Sequence, residues 1–189
     1  KLSYIYRQGK ESYITTNAHR INTGEMPMLN AKDSDFFFIT GDHNEDSLEK
    51  LVDLVLNRLP KFNKNWDKVK DFQVLTPMRK GELGVYNLNL VLQKVLNPQR
   101  KKYDFTQFQV GDKVMQTKNN YMIKWKKIKR VHGEPPEGQG IFNGDIGYVK
   151  SIDDEDNVVS VIFDEDKIVE FDAQELEDLE LAYAVTIHK

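Results

Sequence analysis

The chain has 189 residues, no cysteine and a formal net charge of −3 at pH 7. These values exclude a disulfide framework and a cysteine zinc site, and they argue against a protein that coats nucleic acid through bulk positive charge. Because no apolar run reaches the ~20 residues of a membrane span and the N-terminus has no signal-peptide core, the sequence predicts a cytoplasmic protein without membrane partners.

Helical and strand-like patterns alternate through the first hundred residues. Asp46 and Glu49 have the spacing of a capping box at the start of one helix, and Gly24 and Pro60 have the character of helix ends. This alternation predicts an α/β fold on a mostly parallel sheet. In chain order the predicted elements are a helix over 11–23, a buried strand at 36–40, a helix over 46–59, a buried strand at 72–77 and a helix over 84–96.

The second half consists of short β-rich stretches separated by acidic turns at 153–157 and 164–166. Such spacing predicts a small antiparallel barrel. A basic and then Gly- and Pro-rich stretch, at about 122–140, is predicted to be a mobile loop. The last stretch, 179–189, again has the pattern of a buried strand.

These patterns predict a barrel inserted into an α/β domain. We expect the α/β domain to comprise 1–110 and 179–189, and the barrel to comprise 111–178. Because the last predicted strand runs directly to Lys189, we also expect the chain to be a fragment of a longer protein.

Charge is distributed unevenly along the chain. Residues Lys113 to His132 include seven Lys or Arg and no acid, whereas Asp153 to Glu180 include thirteen Asp or Glu and one Lys. A local basic track with an acidic face elsewhere would suit nucleic acid. The alternative is that both runs are solvated surface.

No self-contained active site is visible in the sequence. It has no phosphate-binding glycine loop with Lys and Ser or Thr, no paired-histidine zinc motif and no nucleophile elbow. Arg7 could stabilise a transferring phosphoryl group in trans or simply pair with an acid. At the end of a predicted strand, Thr76, Arg79 and Lys80 suit phosphate contacts, and a plain strand-to-helix loop is the alternative.

Aromatic residues are interleaved with cations between 121 and 130. Tyr121 and Trp125 alternate with lysines that include Lys126 and Lys127. Stacking rings beside cations suit single-stranded nucleic acid. A solvated loop with one packed tryptophan is the alternative.

Five segments in this order resemble the C-terminal motor region of RecD-like superfamily 1 DNA helicases. The resemblance covers nearly all of the chain, and its specificity lies in the order of segments that are each weak alone. In that family the last segment continues into a Ser-Gln-Gly-Ser-Glu stretch that this chain lacks. The segments are IYRQ with SYITTNAHRINTGEMP, VLTPMRKGELGVYNLN, VGDKVMQTKNNY, GIFNGDIGYV and LAYAVTIHK.

The resemblance implies the second RecA-like domain of an ATP-dependent 5′–3′ DNA helicase, with an inserted SH3-like barrel. ATP and Mg²⁺ would be cofactors of the intact protein, but the Mg²⁺ ligands and the Walker A loop would lie in an N-terminal motor domain that is absent here. This chain alone is therefore expected to be catalytically inactive. Arg7 would reach the ATP γ-phosphate as an arginine finger, with Gln8 beside it.

The resemblance also implies contacts with single-stranded DNA. For Asn143-Gly144-Asp145 a tight turn is an equal alternative, because Gly144 permits positive φ. Two other functions stay open from the residues alone, namely a non-enzymatic nucleic-acid-binding module and a protein-interaction module. The predicted DNA-binding residues are Thr76, Pro77, Arg79, Asn119, Lys126, Lys127, Asn143, Thr186 and His188.

Overall fold

A computed structural model describes most of the chain. The described residues are 12–29, 31–99, 101–129, 132–133 and 135–186. Three residues with predicted roles, Arg7, Gln8 and His188, lie outside them. None of the described helices is both long enough and apolar enough to cross a bilayer.

The first of two compact units, 1–42, contains helix α1 (Tyr13–Asn22), which confirms the first predicted helix. Its first turn is capped by Asp35, whose carboxylate accepts hydrogen bonds from two backbone N–H groups at 2.8 and 3.2 Å. Buried Asn17 exchanges two hydrogen bonds with the backbone of Met28, at 2.7 and 3.0 Å. These contacts fold the segment after α1 back against the helix.

The buried strand predicted at 36–40 is wrong. The structure assigns no strand there, and Phe37 and Phe38 are 67% and 56% exposed. An apolar run indicates burial, but a strand also needs a neighbour to pair its backbone. Within 12–29 and 31–42 no second strand is present to supply that pairing.

The second unit, 43–189, begins with helix α2 (Asn44–Asp53). This helix continues through a π turn (Leu54–Arg58) and a 3₁₀ turn (Leu59–Lys61), which confirms the predicted helix. The predicted capping box is wrong, because the helix begins earlier and Asp46 N donates to the ring of His43 at 3.2 Å.

Helix α3 (Val85–Leu96) confirms the third predicted helix, and its core face includes buried Leu88 and Leu92. Before it lies strand β1 (Val74–Leu75), which pairs in parallel with the last strand, β9 (Ala184–Val185). This pair is the whole of the parallel sheet in the described residues. A RecA-like domain with a mostly parallel sheet therefore remains a prediction.

The remaining strands form one seven-stranded antiparallel sheet, here called the large sheet, in the order β4-β3-β7-β6-β5-β2-β8. Its core is made by alternate strand residues such as Val114, Val161 and Phe171, all fully buried. The strands are β2 (Lys113–Gln116), β3 (Asn120–Lys127), β4 (Glu137–Ile141), β5 (Ile146–Asp153), β6 (Val158–Phe163), β7 (Lys167–Phe171) and β8 (Leu179–Leu181). The short antiparallel strands predicted here are confirmed by β2, β5, β6 and β7, whereas β3, β4 and β8 were not predicted as part of this sheet.

The mobile loop predicted at about 122–140 is wrong at both ends, because β3 and β4 occupy them as a paired hairpin. The lysine-rich sequence lacks a simple alternation, and a register shift between Asn120 and Lys124 explains why. The last predicted strand, 179–189, is divided: β8 pairs with β2 of the large sheet, and β9 pairs with β1. The predicted division into an α/β domain (1–110 and 179–189) and an inserted barrel (111–178) remains a prediction.

Candidate nucleic-acid interface

A cleft of about 650 Å³ lies where the carboxyl ends of β1 and β9 approach the turns of the large sheet. It brings together Arg79, Asn143 and Thr186, three of the predicted DNA-binding residues. Ligands of α/β proteins commonly bind at the carboxyl ends of parallel strands. The other lining residues are Val85, Tyr86, Met115, Thr117, Lys118, Gly144, Glu180, Leu181, Ala184 and Val185.

The first wall of the cleft is the loop from β1 to α3. The hydroxyl of buried Thr76 donates to the carbonyl of Leu83 at 2.7 Å, and Val85 N donates to the carbonyl of Met78 at 3.0 Å. These bonds close the loop and leave Arg79 exposed on it. The hydroxyl of Thr76 thus shapes the loop.

Pro77 lies in the same loop and is exposed. Direct DNA contacts of Thr76 and Pro77 stay predictions.

The second wall is the turn between β4 and β5. Asn143 N donates to Asn119 Oδ1 at 2.9 Å, and Phe142 N donates to Asp145 Oδ2 at 2.8 Å. Gly144 has φ +98°, a value that side-chain-bearing residues rarely adopt. The segment therefore forms the tight turn that the sequence offered as an alternative. DNA contacts of Asn119 and Asn143 stay predictions.

The charges of the cleft are nearly balanced. Arg79 and Lys118 supply positive charge, whereas Glu180 lines the cleft and Asp178 lies 2.6 Å from Lys118 Nζ. The hydrogen bond to Asp178 raises the pKa of Lys118. A nucleic-acid strand in this cleft would therefore depend on backbone N–H and hydroxyl contacts as much as on cations.

The basic hairpin divides into packed and exposed side chains. Lys127 has a side chain only 11% exposed, and its Nζ lies 3.2 Å from Asp166. Trp125 is half-buried against the backbone of Gly138, with Lys167 Nζ 5.2 Å from its ring centroid. Lys126 is exposed. Of the two lysines predicted to contact DNA here, Lys126 is accessible and Lys127 is packed. Their DNA contacts remain predictions.

The described residues hold no group of three or more His, Asp or Glu that could bind a metal ion. The prediction from the resemblance is that the Mg²⁺ ligands lie in another domain. ATP and Mg²⁺ therefore remain predicted cofactors of a longer protein.

Two aromatic residues of this region were missed by the sequence reasoning. Tyr86 lines the cleft and is 49% exposed, and Phe142 directly precedes the turn and is 43% exposed. For Tyr86 a signal existed, because it lies off the apolar face of α3 that Leu88 and Leu92 define. Phe142 carries no such local signal, because alternation in β4 predicts a buried side chain as readily as an exposed one.

Comparisons with known proteins agree with the resemblance. The family model of the SH3 domain of ATP-dependent RecD-like DNA helicases matches residues 88–163. An ATP-dependent RecD2 DNA helicase of Deinococcus radiodurans is 32% identical over 191 residues, covering 100% of this chain and 22% of that protein. An uncharacterised protein of Methanocaldococcus jannaschii is 29% identical over 76% of this chain and 13% of its own length. The chain thus spans about a fifth or less of these relatives.

Proposed function

Because this chain is a RecD-like helicase fragment, related to that family along its whole length, we propose that it is the second motor domain of an ATP-dependent 5′–3′ DNA helicase, with its SH3-like insertion. In this proposal the cleft holds the phosphates of single-stranded DNA, and Arg7 contributes an arginine finger to ATP bound by an N-terminal motor domain. The partners are thus single-stranded DNA and that domain.

The observation that carries the proposal is the gathering of Arg79, Asn143 and Thr186 in one cleft. These residues lie far apart in the sequence, and the sequence alone predicts that each contacts DNA. Their groups are a guanidinium, an amide and a hydroxyl, which hold phosphates without reading bases. A translocating motor needs such sequence-independent contacts.

The proposed mechanism combines a contact with DNA and a contact with ATP. Phosphates in the cleft would bind the loop that follows β1 and Thr186, which follows β9. Closure on ATP would bring Arg7 to the γ-phosphate, where its charge stabilises the transferring phosphoryl group. Domain closure would thereby couple hydrolysis to the hold on DNA.

The first test is strand binding by the protein expressed at its natural length. We expect Asn143→Ala combined with Thr186→Ala to weaken binding to labelled oligothymidine by about tenfold, because two neutral hydrogen bonds contribute roughly 1.5 kcal/mol together. Fluorescence anisotropy measures this. The control, Asn65→Ala, changes an exposed residue outside the cleft. Equal affinity in the double variant and the wild type would contradict the cleft assignment.

The second test concerns ATP. We expect Arg7→Ala to reduce DNA-stimulated ATP turnover by at least a hundredfold, because arginine fingers contribute about 10³–10⁵ in turnover. Strand affinity should change little. A wild-type protein that binds strands without hydrolysing ATP would instead be a nucleic-acid-binding module.

A further inference from the structure

We propose that Tyr121, Met122 and Phe142, here called the aromatic patch, form a stacking site for the bases of single-stranded DNA. The inference rests on the proposed function in one respect, namely that a DNA strand occupies the adjoining cleft. It adds a contact to the bases beside the phosphate contacts of the cleft.

The patch consists of large apolar side chains that the core does not use. Tyr121, Met122 and Phe142 are 65%, 74% and 43% exposed. The rings of Tyr121 and Phe142 meet edge to face, with centroids 5.5 Å apart and planes at 69°. In an edge-to-face pair the edge of one ring points at a single face of the other, so the pair does not cover every ring face and leaves one for a planar base.

The patch is ordered by contacts around it. The ring of Phe142 lies against Gly140, which has φ +99° and where a Cβ would come within 3.0 Å of the ring. Asn119 Nδ2 donates to the hydroxyl of Tyr121 at 3.4 Å, while its Oδ1 binds the turn at Asn143. A ring held in place loses little conformational freedom when a base stacks on it.

The patch lies between two features that suit a DNA backbone. Phe142 is followed by Asn143, which lines the cleft. On the other side, Met122 lines a shallow groove with Lys124 and Lys126, in which Glu170 and Glu175 also lie. A strand that leaves the cleft along this path crosses the patch before it reaches the two exposed lysines.

This setting favours nucleic acid over a protein partner. The patch has three members, and the amide side chains of Asn119 and Asn143 adjoin it. The two aromatic residues that the sequence predicts to stack on bases differ in accessibility. Trp125 packs against Gly138, whereas Tyr121 is exposed. Aromatic rings beside exposed lysines are the usual platform for single-stranded bases.

The test compares Tyr121→Ala with Tyr121→Phe in the protein at its natural length. We expect the alanine variant to bind oligothymidine about five- to a hundredfold more weakly, the range for one lost stacked base. The phenylalanine variant keeps the ring and should bind nearly as the wild type does. Phe62→Ala is the matched control, since Phe62 is 68% exposed elsewhere on the molecule.

Two readouts separate stacking from a backbone contact. The slope of affinity against salt should not change in Tyr121→Ala, because a ring releases no counterions. On an abasic strand, which has the phosphates without bases, wild type and Tyr121→Ala should bind equally. Unequal binding to the abasic strand would overturn the proposal.

The outcomes also distinguish this inference from the proposed function. If the wild type binds strands and Tyr121→Ala binds them equally well, the patch is overturned and the cleft stands. If the wild type binds no strand, both fail. If Tyr121→Ala dissociates a dimer seen by sedimentation, the patch is a self-association surface. Phe142→Leu, with an unchanged melting temperature, repeats the test at the second ring.

Discussion

The large sheet and the parallel pair β1–β9 are held by different means. Each strand in the middle of the large sheet pairs with a neighbour on either side, and fully buried valines and phenylalanines form the core against it. The parallel pair joins only two residues of each strand. Its position depends instead on side chains that reach its backbone from outside the sheet.

Asn89 of α3 provides the clearest of these contacts. Its amide donates to the carbonyls of Leu181 and Ala184 at 2.7 and 3.0 Å, and its oxygen accepts from Ala184 N at 2.8 Å. Gln73 Nε2 donates to the carbonyls of Ala182 and Tyr183. The link from β8 to β9 is therefore fixed by amides, and with it Thr186 in the cleft.

Asp112 joins the two regions. It is fully buried and accepts hydrogen bonds from Gln93, Asn97, Tyr183 and the backbone of Gln109. Burial raises the pKa of its carboxyl, and the four donors oppose that shift. Burial and the neighbouring carboxyl raise the pKa of Tyr183, which keeps its hydroxyl a donor. This carboxylate thus ties the start of β2 to α3 and to the segment before β9.

The largest effect is expected from Asp112→Asn. The amide nitrogen of asparagine would face two of the donors that the carboxylate accepts, leaving buried N–H or O–H groups unsatisfied. We expect a loss of roughly 3 kcal/mol in the free energy of unfolding. Urea denaturation measures it, with Asp104→Asn as the control at an exposed carboxyl. If both variants are equally stable, Asp112 does not join the regions.

The sequence predicted the elements well where their pattern is local. Strand β6 alternates half-buried and buried side chains, and α3 repeats its apolar face every three or four residues. Both patterns are visible within a dozen residues. Three helices and the strands β2, β5, β6 and β7 were therefore predicted from the sequence, whereas β3, β4 and β8 were not predicted as part of this sheet.

The sequence did not predict the features that depend on contacts between residues far apart in the chain. The bonds of Asp112 span 19 residues to Gln93 and 71 to Tyr183, and no local pattern signals them. The segment 36–40 has no neighbouring strand within 12–29 and 31–42. In the last predicted strand, β8 pairs with the large sheet and β9 pairs with β1. The candidate site was predicted in part, because its residues were named while the amide contacts that position Thr186 were not.

Asn89→Ala should have the second largest effect, confined to the parallel pair. It removes one acceptor and two donor contacts from buried backbone, and we expect a loss of about 2 kcal/mol. Hydrogen exchange should rise at Ala184 N and stay low in the large sheet. Asn87→Ala is the control on the same helix, since Asn87 makes one exposed bond to Glu82. Uniform exchange throughout the unit would contradict separate stabilisation of the two regions.

Arg79→Ala and Lys126→Ala compare the two regions as DNA contacts. Arg79 belongs to the loop after β1, and Lys126 to β3 of the large sheet. If each neutralises one phosphate, each variant lowers the slope of log affinity against log salt by about 0.7, the value for a single strand. Binding titrations at several salt concentrations measure this. An unchanged slope in one variant would mean that the substituted residue does not contact a DNA phosphate.

The smallest effect, and a gain, is expected from Gln116→Met in the large sheet. Gln116 is fully buried, and within the described residues neither polar atom of its side chain has a hydrogen-bond partner. Methionine has nearly the same shape without the desolvated amide, so we expect a gain of about 1 kcal/mol in the free energy of unfolding. Backbone bonds of Gln116 to Gly144 and Asp145 are unaffected.

The control is Gln139→Met on β4, because Gln139 is exposed and its amide is already hydrated. The control should change the urea midpoint little. A loss of stability in Gln116→Met would mean that the buried amide is satisfied in the folded protein. In that case the large sheet, like the parallel pair, would depend on a polar contact in its interior. The two regions would then differ less in how they are stabilised.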